Sequence, residues 1–155
     1  DIIYALHQEG FRLLGERFYA LSQVDDPFER LKAMGRTYIH FALEHKDFYE
    51  LMFIMKDPLE FLSDKCGLEE EWEEGVEAFQ FLLNTITDCQ SGGYFKDHEA
   101  RTFALLVWST VHGLCSLSIH GHLDHMAKGH NLFEDGAKAL DAAYKSFVHL
   151  LGEMK

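Results

Sequence analysis

At 155 residues the chain fits a single domain able to bury a sizeable core, and 47% hydrophobic with 14% aromatic side chains, including 13 Phe, make that core bulky enough to leave room for a ligand. With 26 acidic against 14 basic residues the formal charge is -12, which repels phosphate backbones and excludes DNA binding by this chain alone. Three widely spaced cysteines (Cys66, Cys89, Cys115) form neither a metal pattern nor a paired disulfide framework, so a reducing compartment, the cytoplasm, is expected.

Every long stretch carries helical periodicity without two-residue alternation, so the chain reads as all-α, with about six helices. Asp1 opens directly into helical pattern with no basic-then-apolar leader, and a first helix is expected over about Ile2 to Ser22, with Ile3, Leu6, Gly10, Leu13, Leu14, Phe18 and Leu21 on one side. Asp26-Pro27-Phe28-Glu29 supplies a cap, a proline at the first helical position and a Glu three residues after the cap. The helix it starts runs to about His45 on a stripe of Leu31, Met34, Tyr38, Phe41 and His45. Asp47 with Glu50 is expected to cap a shorter helix carrying Phe48, Leu51, Met52 and Met55, and Asp57-Pro58 to stop it. Past Cys66-Gly67 an acidic run, Glu69 to Glu74, suits the first turns of a helix continued by Trp72, Val76, Phe79, Leu83 and Ile86 and ended by Ser91-Gly92-Gly93.

From Thr102 to Leu123 there is no Asp, Glu, Lys or Arg. The helix expected there, capped by Asp97, is apolar on every side and must be covered on every side. Its length would cross a bilayer, but Ser109, Thr110, His112, Ser116, Ser118, His120, Gly121 and His122 interrupt it and no excess of Lys or Arg flanks either end, which argues against a membrane. The expected arrangement sets one side against its own domain and the other against a second copy of the chain, with Trp108, His112 and Gly113 at the centre. The last helix, about Glu134 to Glu153, has a core face (Phe133, Ala137, Leu140, Tyr144, Phe147, Leu151) and a narrow face of mostly small residues, Gly136, Ala139, Ala143, Ser146 and Leu150. The narrow face suits a symmetric helix-on-helix contact, so Leu117, Ala139, Ala143, Ser146 and Leu150 are the candidate homodimer residues; packing of both faces within one subunit is the alternative.

Chemistry is sparse. No Gly-x-Ser-x-Gly elbow, phosphate-binding loop or His-Glu-x-x-His occurs, so no catalytic residue is assigned and an enzyme is not expected. His120, His122, His125 and His130 are loosely spaced around Gly121 and Gly129 and read as solvated, so no metal and no cofactor is expected. His45 or His112 as a haem ligand keeps a haem- or metal-binding carrier open as a competing reading. A purely structural dimerisation module is the other.

Trp108-Ser109-Thr110-Val111-His112-Gly113-Leu114 resembles the Trp, His, Gly signature of one class of C-terminal domains in the tetracycline-repressor (TetR) family of bacterial regulators. The segment from Phe41 to Phe53 is similar to a helix junction in the same domains, where a proline often replaces Lys46. The resemblance implies an all-helical, ligand-sensing homodimer whose last two long helices form a four-helix bundle with the partner's. It also implies that DNA is read by a separate N-terminal helix-turn-helix unit not expected within residues 1–155.

Trp108 and His112, four apart on one helical face, can point together into a space walled by Phe41, Met52, Met55, Phe79, Leu83 and Phe103, and these eight are the candidate residues for a small, largely apolar or aromatic effector. The competing reading makes Trp108 plain core with His112 as its hydrogen-bonded neighbour and Gly113 as a close helix contact.

Overall fold

A computed structural model describes residues 2–54 and 73–155, and among them it contains seven helices and no strand. Helix α1 (Ile2–Ala20) ends in a short 3-10 turn, Leu21–Gln23, and α2 (Pro27–Glu44) leads into α3 (Lys46–Tyr49), which continues as a π-helical turn, Glu50–Ile54. Then come α4 (Glu73–Ser91), α5 (Ala100–Ile119), α6 (His122–His130) and α7 (Gly136–Gly152). The expected features at Met55, Asp57-Pro58, Cys66-Gly67 and Trp72 lie outside the described residues.

Local signals decide several of these boundaries. The Asp26 carboxylate accepts from the Glu29 amide at 2.8 Å with Pro27 at the first helical position, and Leu31, Met34, Tyr38 and Phe41 are buried as their spacing requires. At the end of α4, Gly93 takes a φ of +104°, which lets the Tyr94 amide turn back to the Cys89 carbonyl at 3.0 Å. The start of α5 differs from expectation. Its cap is Glu99, whose carboxylate accepts from the amides of Arg101 (3.1 Å) and Thr102 (2.7 Å); Asp97 lies two positions too early to reach them. Asp47 likewise sits inside the first turn of α3, which begins at Lys46. Where a loose histidine turn was expected, Gly121 at φ +77° makes the turn and α6 follows as a nine-residue helix.

Two buried stripes are rotated from the expected ones. On α1 the inward residues are His7, Gly10, Phe11, Leu14 and Phe18, while Ile3 and Leu6 are exposed. On α4 they are Gly75, Ala78, Leu82, Thr85, Ile86 and Cys89, with Val76 turned outward. The reason is close packing: α4 lies against both α1 and α2, and small residues at that seam let the helices approach while larger ones are displaced to its edges.

Helix α5 packs on α2 and α4, and α7 packs on α5 and α6. The inner line of α5 is Phe103, Ala104, Val107, Val111 and Cys115, whereas Leu105 (50% exposed), Leu106 (58%) and Leu117 (42%) face outward. By length and composition α5 could span a bilayer, with a mean hydropathy of 1.5; in this fold one side of it is core. The narrow face of α7 is divided. Gly136 and Ala139 are buried by the chain itself, Gly136 lying against Asp124 of α6, while Ser146 and Leu150 are exposed and Ala143 is half-buried.

Candidate ligand cavity

One turn of α5 brings Trp108 and His112 to the same side, and two tyrosines from other elements meet them. The Trp108 indole N–H donates to the Tyr38 hydroxyl at 3.1 Å. The Tyr38 and Tyr49 hydroxyls each lie 2.8 Å from Nδ1 of His112, and Tyr49 also donates to the His112 carbonyl at 3.1 Å. Tyr38 comes from the inward stripe of α2 and Tyr49 from the last residue of α3. The π-helical turn then lays Phe53 over the group, its ring centroid 5.1 Å from that of His112 and 6.0 Å from those of Tyr38 and Trp108. Burial lowers the His112 pKa, which keeps the imidazole neutral at pH 7, and burial first of all raises both tyrosines above the ordinary range, so both hydroxyls keep their protons.

Beside this group lies a partly open cavity with an almost wholly apolar wall, about 770 Å³ when the adjoining open solvent is counted. Helix α2 lines it from Phe28 to Tyr38, ten residues of rise and so about 15 Å of length. Phe11, Leu14 and Phe18 of α1 and Ala78, Phe79 and Leu82 of α4 add further wall, as do Val107, Trp108 and Val111 of α5 and Phe147, Val148 and Leu151 of α7. Above it α2 and α7 are tied together. The Tyr144 hydroxyl donates to the Lys32 carbonyl at 2.6 Å, and Arg36 pairs with Asp141 at 2.7 Å while standing 4.9 Å over the Tyr144 ring. Gly35 makes this tie possible, because a Cβ there would lie 2.7 Å from Cε2 of the tyrosine ring.

Of the residues expected to wall a pocket, Trp108 and Phe79 line this cavity, with ring centroids 6.2 Å apart. His112 does not line it and lies behind three residues that do, Tyr38, Phe53 and Trp108. Phe41 is fully buried elsewhere, between the Arg17 guanidinium and the His45 ring. Met52 packs on Gly10 of α1, Phe103 packs against Phe95 with ring centroids 4.5 Å apart near the start of α5, and Leu83 of α4 is not part of the lining. Met55 is outside the described residues. Among the described residues, Gly113 has no heavy atom of another element within 4 Å of the place a Cβ would take, so it makes no close contact with any of the described helices.

Sequence reasoning missed the contributions of α1 and of Tyr38, Tyr49 and Phe53. A signal for Tyr38 existed: a buried indole N–H needs an acceptor, and Tyr38 is the hydroxyl on the inward stripe of α2. Other reactive groups are turned away from the cavity. Among the described residues no three His, Cys, Asp or Glu converge as metal ligands, His45 contacts Arg17 through its Nε2 at 3.1 Å, and burial pushes the Cys89 and Cys115 thiols up to about 12.

This arrangement defines an all-helical domain with an apolar cavity enclosed by its helices and an apolar helix face left open. The chain belongs to the family described as tetracyclin repressor-like, C-terminal domain, whose family model matches residues 31–140. A solved structure from Rhodococcus sp. RHA1, described as a protein with unknown function, shares the fold with a TM-score of 0.71, at 22% identity over 96% of this chain and 72% of that one. No curated protein matches the chain.

Proposed function

We propose that this chain is the effector-sensing and dimerisation domain of a TetR-like transcriptional repressor, of the class carrying the Trp108, His112, Gly113 signature, and that it binds a small, largely apolar or aromatic molecule. The observation that carries this reading is the cavity itself, an apolar space walled by five helices in a member of this regulator family. The effector lies against Trp108 and Phe79, with Phe11, Phe53 and Phe147 completing an aromatic wall. Of the other candidates, His112 acts through Tyr38, and Phe41, Met52, Leu83 and Phe103 support the surrounding core.

The dimer forms where the chain leaves apolar surface open: Leu105, Leu106 and Leu117 on α5, and Ala143, Ser146 and Leu150 on α7. Ala139, expected at the same contact, is already covered within its own chain. Pairing these faces across a twofold axis gives a four-helix bundle. In the full-length regulator DNA is read by a separate N-terminal helix-turn-helix unit in the cytoplasm. Effector binding favours one packing of α1 against the cavity and so changes the separation of the DNA-reading units, which requires unequal affinity for the two arrangements. Native mass spectrometry of the purified chain tests the reading. A dimer is expected, and a lone subunit persisting at high concentration would contradict it.

A further inference from the structure

Among the described residues, only four side chains of the cavity wall carry a nitrogen or oxygen, namely Lys32, Tyr38, Trp108 and Tyr144, and all four are engaged within the protein. The Lys32 ammonium pairs with Glu29 at 2.5 Å, and the Tyr144 hydroxyl donates to the Lys32 carbonyl. The Trp108 indole N–H is held by Tyr38. The Tyr38 hydroxyl is in turn surrounded by Trp108, His112 Nδ1 and the hydroxyl of Tyr49. An indole N–H lining a cavity is the natural donor to a ligand carbonyl, and here a protein oxygen takes it first. A polar atom brought against these residues meets no free partner among them and bears the cost of leaving its water.

We propose that Tyr38 sets the chemical class of the effector: by holding the Trp108 N–H inside the protein it leaves the described wall of the cavity without a free hydrogen bond to offer, so the part of the effector that lies against that wall is hydrocarbon. This rests on the reading of the cavity as the effector site. The effector's hydrocarbon part lies along the α2 wall between Phe28 and Tyr38, and any polar group it carries stays outside the aromatic wall. Tyr38 acts as a specificity-determining residue through Trp108, without itself being the group that grips the ligand.

Calorimetric titration with two probes of one ring skeleton, tetralin and 1-tetralone, tests this, since they differ by a single carbonyl. The wild-type chain is expected to bind tetralin at least about tenfold more tightly, the cost of one unpaired polar atom. In Tyr38→Phe the indole N–H has lost its acceptor and turns to the ketone, so the gap narrows by roughly fivefold; adding Trp108→Phe removes that donor and restores it. A wild-type chain that binds the ketone as tightly as the hydrocarbon overturns the proposal. So does a Tyr38→Phe chain that weakens both probes alike, which is what a merely structural role would do. If neither probe binds the wild-type chain, the reading of the cavity as an effector site fails and the proposal fails with it.

Discussion

Gly35→Ala places a methyl group where the Tyr144 ring now lies, with Cζ at 2.8 Å and Cε2 at 2.7 Å, closer than real carbon contacts occur. Tyr144 is 3% exposed and held by its bond to the Lys32 carbonyl and by Arg36 above its face, so the ring has nowhere to retreat without giving those up. Alanine in a helix interior gains about 1 kcal/mol over glycine. Against that stand roughly 1–3 kcal/mol for overpacking and about 0.5–1.5 kcal/mol for the lost hydrogen bond. The net expectation is a loss of about 0.5–3.5 kcal/mol, read as a lower urea midpoint at unchanged slope. Gly15→Ala is the control: among the described residues no heavy atom of another element lies within 4 Å of its added Cβ, so it should stabilise by roughly 0.5–1 kcal/mol. A Gly35→Ala chain as stable as Gly15→Ala would refute the tie between α2 and α7 as described.

Leu106→Glu and Leu150→Glu place charges on side chains that are 58% and 63% exposed, so each should shift a dimer toward monomer in sedimentation equilibrium while leaving the helical circular dichroism of the subunit intact. Glu99→Ala removes the acceptor of two amides at the start of α5 and should cost about 0.5–2 kcal/mol in urea unfolding, whereas Asp97→Ala should cost almost nothing. Burial lowers the pKa values of His7 and His112, so the unfolded chain takes up protons first as pH falls through about 6.5. The stability they contribute is therefore present above that pH and lost below it. The urea midpoint should drop as the pH is lowered from about 7.5 to about 5.5, and His7→Phe, which removes a buried ring nitrogen, Nε2, with no hydrogen-bond partner among the described residues, should flatten that slope.

The legible parts of the fold were those fixed by neighbouring residues. Asp26-Pro27-Phe28-Glu29 and Ser91-Gly92-Gly93 carry their own capping chemistry, and they bound α2 and α4 as expected. Seams between helices were harder to read, because hydrophobic spacing favours large side chains while a close seam selects small ones. Gly75, Ala78 and Thr85 therefore face inward on α4, where Val76 had been expected to do so. The cavity was legible only in part for a related reason. Trp108 and Phe79 belong to it, but most of its wall comes from the inner faces of α1, α2 and α7, whose residues read in sequence as ordinary core. Phe53 depends on the π-helical turn, which shifts the register of the chain and leaves no mark in a 3.6-residue period.

The cavity as the effector site is tested most directly by thermal unfolding of the wild-type chain and of Ala78→Phe, with and without tetralin. Ala78 is a small buried wall residue of α4, and a phenyl group there occupies the space the effector needs. At about a hundredfold excess over its dissociation constant the probe should raise the wild-type Tm by about 5–10 °C and leave that of Ala78→Phe unmoved. Equal shifts in both proteins, or none in either, would contradict the account.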